Sequence, residues 1–351
     1  MYQISQDRLV AAIKKLNHHY PIVLPIQKDT EYSLKFFGVD AWVDNQWKIS
    51  PIRTPQPLKS FFYPPKQNVT KYPQSEKQVE KLQSLVIIGS KACDINALKI
   101  IDKVYREGDY PDPYYLRARE KNIIIASDCL DAGKFCACTL MNSLPYPEKD
   151  FDLNLSAADE NILIEVGSEQ GEKLLKDFFG DIKKASEAQL AQRDKNRQSV
   201  IEKLKEINRE FQYFQSHQEA IERHLKSKEW KELSKTCVEC GICTQICPTC
   251  YCFLLFDQPS EKRYERIKVW DSCFFAGYSR MAGGLTPRLG LADRFKHRFY
   301  HKFDSFVTNF GVEACTGCGR CSEGCMGNID LRKVLQELEK KVVLLEKIEL
   351  S

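Results

Sequence analysis

Eight of the fifteen cysteines in this 351-residue chain fall in two runs of one spacing. Cys237-Val-Glu-Cys240-Gly-Ile-Cys243-Thr-Gln-Ile-Cys247-Pro248 reads C-x2-C-x2-C-x3-C-P. Cys315-Thr-Gly-Cys318-Gly-Arg-Cys321-Ser-Glu-Gly-Cys325-Met326 repeats it without the proline. Three thiolates at i, i+3 and i+6 wrap a loop around one [4Fe–4S] cube and leave one iron for a cysteine from elsewhere; in two-cluster proteins the fourth cysteine of each run ligates the other cube. The expected sets are Cys237, Cys240, Cys243 with Cys325, and Cys315, Cys318, Cys321 with Cys247. The chemistry such sites perform is electron transfer.

Two other uses of cysteine fit less well. Structural zinc takes two C-x2-4-C pairs separated by a spacer, and here a third cysteine follows after two residues in both runs. Disulfide frameworks belong to small secreted domains. The start of this chain, Met1-Tyr-Gln-Ile-Ser-Gln-Asp-Arg, lacks the charged-then-apolar layout of a secretion signal. A reducing cytoplasm is the expected location.

The remaining seven cysteines form two groups. Cys93 and Cys129 each follow an apolar strand pattern, at the carboxyl edge where open α/β sheets bind ligands. The loop Asp128-Cys129-Leu-Asp-Ala-Gly-Lys-Phe-Cys136-Ala-Cys138 can fold toward Cys93, making these four a candidate third metal site. The competing reading is that they pack as small buried hydrophobes. Cys250, Cys252 and Cys273 surround the first run. They are read as S–H donors that tune potential from behind the ligands, with ligation of a further cluster as the alternative.

The elements that must position these residues follow from pattern. Residues 20 to 75 are broken by prolines into short extended pieces. Ser84–Gly89, Asn122–Ala126 and Asn161–Val166 read as buried strands alternating with helices, the first of which spans Asp94 to Tyr105 with Asp94 as its N-cap. Residues 182 to 235, without Gly or Pro, predict one or two amphipathic helices carrying Ile201, Leu204, Ile207 and Phe211. Leu331, Leu335, Leu338, Val342 and Leu345 form a last helical stripe. The expected architecture is α+β/α/β: a mixed-sheet domain with helices over 1–181, a helical linker over 182–229, and a mainly helical two-cluster ferredoxin domain over 230–351.

Composition excludes several classes. Hydrophobic residues at 43% and charged residues at 28% describe an ordinary globular protein, and a net charge of +4 implies no particular partner. No run approaches the ~18 apolar residues of a membrane span, so membrane insertion is not expected. Between the cysteine runs, Lys262, Arg263, Arg266, Lys268, Arg280, Arg288, Arg294, Lys296, Arg298 and Lys302 alternate with aromatics. Without a recognition motif this reads as counter-charge for anionic clusters and as core, not as a nucleic-acid surface. No G-x-G-x-x-G follows a strand, so Rossmann-type dinucleotide or flavin binding is unsupported.

Taken together the chain resembles the iron–sulfur (beta) subunit of soluble sulfhydrogenase-type nickel–iron hydrogenases, and the corresponding iron–sulfur subunit of anaerobic sulfite reductase. The resemblance rests on Ile52-Arg-Thr-Pro-Gln-Pro-Leu-Lys-Ser-Phe-Phe-Tyr-Pro-Pro65, Gly89-Ser-Lys-Ala-Cys-Asp94, Asp128-Cys129 with Phe135-Cys-Ala-Cys138, Cys247-Pro-Thr-Cys-Tyr-Cys252, Trp270-Asp-Ser-Cys273 and the last cysteine run. Met326 departs from the family's proline after the fourth cysteine, and Ser90-Lys91-Ala92 from its Arg-Pro. The resemblance implies a helical ferredoxin domain and no substrate chemistry. It also implies a relay that links an NAD(P)H-oxidising flavoprotein subunit with a catalytic subunit that reduces protons, sulfur or sulfite. The competing hypothesis is a self-standing redox enzyme with a catalytic or substrate-binding cluster in the α/β domain. Acid–base groups are scarce there: His18, His19, His217, His224, His297 and His301 all lie outside the Cys93–Cys138 segment.

Overall fold

A computed structural model describes residues 1–29, 31–43, 47–72, 83–211, 216–260 and 263–349, with side chains through 340. Lys262 and the side chains of Val342 and Leu345 lie outside that set.

Eight strands make one mixed sheet: β1 (Tyr2–Ser5), β2 (Ile22–Lys28), β3 (Glu31–Phe37), β5 (Val86–Ser90), β6 (Ile123–Ser127), β7 (Leu153–Ala158), β8 (Asn161–Val166) and β9 (Lys183–Lys184). Their order is β3-β2-β5-β6-β7-β8-β1-β9. The centre, β2-β5-β6-β7, is parallel, and antiparallel strands close both flanks. Successive strand residues face opposite sides, and both sides are covered. Ile22, Leu24, Val86, Ile88, Ile123 and Ile125 pack beneath α1 (Gln6–His19). Val23, Ile87, Ile124 and Ala126 pack against α2 (Ala92–Tyr105) and α3 (Pro113–Lys121). Two-sided burial explains why these strands read as unbroken apolar runs. α4 (Glu169–Phe178) adds Leu174 and Leu175 to the α1 side.

The helix after β5 begins earlier than its sequence suggests. Its N-cap is Lys91, and Asp94 sits inside the first turn. The Asp94 carboxylate is therefore not a cap. It accepts the Leu58 N–H at 3.2 Å and pairs with Arg320 Nη2 at 2.7 Å, which ties the sheet domain to the second cysteine run.

Residues 182–235 form three helices: α5 (Glu187–Ile207), capped by a Ser186–Gln189 box, then α6 (His217–Arg223) and α7 (Glu229–Leu233). The cysteine runs carry two single-turn helices, α8 (Ile242–Gln245) and α11 (Arg320–Glu323). Between them lie α9 (Leu291–Tyr300), a π-helical turn (His301–Ser305) and α10 (Phe306–Phe310). The final helix, α12 (Leu331–Glu349), buries Leu331, Leu335 and Leu338 against the aromatic core Trp230, Phe274, Phe295, Phe299 and Phe303.

The C-terminal region also holds strands that its sequence pattern did not foretell. β10 (Phe253–Ser260) and β11 (Arg263–Trp270) are antiparallel, and β11 pairs in turn with β4 (Lys66–Tyr72). The cluster region thus carries a three-stranded sheet whose third strand comes from the N-terminal half.

Candidate metal centres

The eight run cysteines converge on two cavities. Cys237, Cys240, Cys243 and Cys325 line one of ≈ 450 Å³. Cys315, Cys318, Cys321 and Cys247 line a second of ≈ 440 Å³. Each set takes three sulfurs from one run and one from the other. A third cavity of ≈ 380 Å³ is lined by Cys93, Cys129, Cys136 and Cys138.

The three lie in a row. Cys318 and Gly317 border both the third and second cavities, and Cys321, Arg298 and Leu331 border both the second and first. Among the described residues, no three His, Cys, Asp or Glu side chains close on a point as a single metal ion requires. The sulfurs line cavities instead. Buried donors face no partner here: Arg298 Nε and Nη2 and Thr316 Oγ1, on residues lining these cavities, have no acceptor among the described residues. The residues present fit iron–sulfur clusters.

Close backbone approach sets the spacing between the third and second cavities. The carbonyl of Gly317 (φ +61°) accepts the Ala137 N–H at 2.7 Å. A Cβ there would overlap the Ala137 carbonyl oxygen, and one at Gly319 (φ +75°) would overlap that of Phe135. Only glycine lets the two cysteine loops lie backbone against backbone.

The third cavity is built from the carboxyl edge of the sheet. Cys93 sits in the first turn of α2 after β5, and Cys129 follows β6. Lys91, almost wholly buried, donates to Ser50 O at 2.7 Å, Ser127 Oγ at 2.9 Å and Asp128 O at 2.8 Å, pinning the segments that present both cysteines. From above, α5 supplies Val200 and Leu204 to the lining. Arg197 forks onto Asp128 (2.7 and 3.1 Å), and Asn208 Nδ2 holds the Cys136 carbonyl at 2.9 Å. Burial pushes the Cys129 thiol up to about 11, against the pull of Lys91, and raises Cys93 and Cys138 as well. Without a metal these three are neutral thiols at pH 7.

The second cavity is the most cationic. Lys302, in the π-helical turn, reaches Cys247 Sγ at 3.4 Å, Thr249 Oγ1 at 2.8 Å and Ala314 O at 2.9 Å. A hydrogen bond from the Cys250 thiol, opposed by burial and aided by Lys302 and Lys59, holds Cys247 well below the usual thiol range. On the far side Arg53 Nε donates to Cys318 O at 2.6 Å, and Arg320 Nε to Thr54 O at 2.9 Å. The first cavity has a ligand cysteine at the surface: Cys240 is exposed and Val238 is 61% exposed beside it. Met326 is 74% exposed, so the missing proline costs no packing around Cys325.

Cys250, Cys252 and Cys273 are not among the residues lining the three cavities. Cys250 donates to Cys247. Cys252 accepts from Cys273 and from Tyr278, which pulls it down to about 6 despite burial. The proline-rich stretch clasps this segment: Lys59 Nζ donates to Cys250 O at 2.7 Å and lies 4.2 Å from the Trp270 ring centroid, and Tyr63 Oη reaches Tyr251 O and Cys252 O at 3.2 Å.

Residues 236–329 match the 4Fe-4S dicluster domain. Over 297 residues, 83% of this chain and 85% of the relative, the chain is 32% identical to sulfhydrogenase 2 subunit beta of Pyrococcus furiosus. The chain belongs to the sulfhydrogenase beta-subunit family. It is also 24% identical over 183 residues to the F420-dependent formate dehydrogenase subunit beta of Methanocaldococcus jannaschii, covering 51% of this chain and 39% of that one. As a member of the beta-subunit family, the chain is an iron–sulfur protein of the kind found in multisubunit hydrogenase-type and formate dehydrogenase-type complexes. Among the described residues no helix is long and apolar enough to cross a membrane.

Sequence reasoning missed Arg53, Lys59 and Lys91, which lie far from the cysteine runs. It counted Arg294, Arg298 and Lys302 as general counter-charge. Their spacing of four residues was the available signal that they share one helical face.

Proposed function

We propose that this beta-subunit homologue relays electrons, linking an NAD(P)H-oxidising flavoprotein subunit with a catalytic subunit reducing protons, sulfur species or sulfite, in a reducing cytoplasm. The observation that carries the reading is the row of three four-cysteine cavities, each sharing a cysteine with the next. Cys237, Cys240, Cys243 and Cys325 would hold one [4Fe–4S] cluster, Cys315, Cys318, Cys321 and Cys247 a second, and Cys93, Cys129, Cys136 and Cys138 a third. Bound clusters supply reversible one-electron oxidation and reduction.

The protein's own part is positioning and electrostatics. Gly317 and Gly319 let the loops of the second and third quartets lie backbone against backbone, and Cys93, Cys138 and Cys247 are buried. Lys302 and Cys250 stabilise the thiolate of Cys247, which the site needs as a ligand. Exposure of Cys240 leaves the first cavity as the end of the row nearest to solvent, where a partner can approach. Cys250, Cys252 and Cys273 act as S–H donors behind the ligands.

Iron and sulfide analysis of anaerobically purified chain tests this. Three clusters predict about twelve irons per chain, and joint replacement of Cys93, Cys129, Cys136 and Cys138 by Ser lowers the count by about four. The ferredoxin-type EPR signals remain. Stoichiometric zinc, or NAD(P)H oxidation by the isolated chain, refutes the relay.

A further inference from the structure

One helical face runs past both ferredoxin-type cavities. From α9 into the π-helical turn, Arg294, Arg298 and Lys302 recur every four residues, and all three are at most 5% exposed. The outer two are anchored by protein. Arg294 spends both terminal nitrogens on the Arg288 and Leu289 carbonyls and on Glu239. Lys302 is held by Thr249, Ala314 and Cys247.

Arg298 differs. Its side chain borders the first and the second cavity, and its Nε and Nη2 are buried with no acceptor among the described residues. Two unfilled donors on one buried guanidinium are costly unless an acceptor meets them. Arg298 lines two cavities, so an acceptor in either would lie beside a guanidinium with donors to spare. Iron–sulfur clusters with four thiolates are anions, and hydrogen bonds to their sulfurs set their potentials.

We propose that Arg298 is a shared positioning residue, donating from one planar guanidinium to the clusters on both sides and raising both reduction potentials together. The proposal rests on the relay reading above and adds to it a residue outside the cysteine sets. Arginine suits the task because its donors form a rigid fork, whereas a lysine ammonium is a point charge that can face one side at a time. Reduction adds negative charge on either side, and the same cation offsets both additions. The two potentials are thereby coupled to one residue and move together when it is changed.

The test is an anaerobic redox titration of the full chain followed by EPR, on wild type, Arg298→Gln and Arg298→Lys, with iron content measured in each. Arg298→Gln is expected to shift the reduction equilibrium of both clusters at least tenfold toward the oxidised form, 59 mV downward for one electron. Arg298→Lys is expected to lower one potential and keep the other near wild type. Arg298→Gln with full iron and both potentials unchanged, or with one moved alone, overturns the proposal. Should Arg298→Gln fail to take up iron, Arg298→Lys decides: two wild-type potentials overturn the proposal, and one lowered potential supports it. A wild-type chain without clusters would instead refute the relay reading itself.

Discussion

Removing the Asp94 carboxylate is expected to destabilise the protein by about 3–5 kcal/mol, the range for breaking a buried ion pair from one side. The size follows from what the carboxylate does. Its side chain is 6% exposed and that of Arg320 is 1% exposed, so neither charge has water to fall back on. Asp94→Ala deletes a charge-assisted bond of 2.7 Å, worth ~1.5–3 kcal/mol, and strips the Leu58 N–H of its acceptor, ~1–3 kcal/mol more. Arg320 keeps Thr54 O at 2.9 Å but already has an unsatisfied Nη1, so it cannot re-pair locally. The assay is a double-mutant cycle of Asp94→Leu, Arg320→Met and the pair, read by anaerobic urea unfolding of iron-free protein. The pair is expected to be more stable than Asp94→Leu alone, because an apolar pair avoids the uncompensated cation. Loss below ~1 kcal/mol in Asp94→Ala, or strictly additive single effects, would refute the view that this contact clamps the sheet domain to the second cysteine run.

Two further outcomes are expected. Cys325→Ser should disturb the EPR signal of the cluster held by Cys237, Cys240 and Cys243, not the one adjacent in sequence. Damage to the Cys315-Cys318-Cys321 cluster alone would refute the crossed pairing. For pH, burial first, and then the positive charge of Lys302, lowers His301 to about 4, and it stands as a neutral ring against Tyr251 Oη at 3.2 Å. The unfolded chain binds a proton near pH 6.5 that the folded chain refuses until pH ~4, so this residue's contribution falls as pH drops through that window and is constant above it. Apoprotein unfolding between pH 4 and 7 should show a shallower slope in His301→Gln, and an unchanged slope would refute the assignment.

Which cysteines share a cavity could be anticipated from spacing, because the loop between closely spaced residues limits how far apart they can sit. Each ferredoxin-type quartet lines one cavity, and Cys93, at a strand end, lines a third with Cys129, Cys136 and Cys138. The central strands were readable because burial on both faces leaves unbroken apolar runs. Asp94 misled because an acid near a helix start is the usual sign of a cap. Its actual partner, Arg320, is 226 residues away. The β10–β11 hairpin lacked the alternation that betrays a half-buried sheet, since Phe253, Leu254, Leu255 and Phe256 are all at least 38% exposed. Nor could local pattern foretell that Lys59 and Arg53 would brace cysteine loops in the other half of the chain. Those contacts are set by tertiary packing.

The pairing of β4 with β11 also orders events during synthesis. Val269 lies opposite Lys66, so β4 leaves the ribosome roughly 200 residues before its partner strand. At about 5–20 residues per second that interval is on the order of ten to forty seconds. Through it, β4 stays unpaired, and Cys93, Cys129, Cys136 and Cys138 wait for Gly317 and Cys318 to close the loop side of their cavity. On the relay reading, the third site can be completed only after the last cysteine run has been translated, and until then its four thiols have to stay reduced and unmetallated.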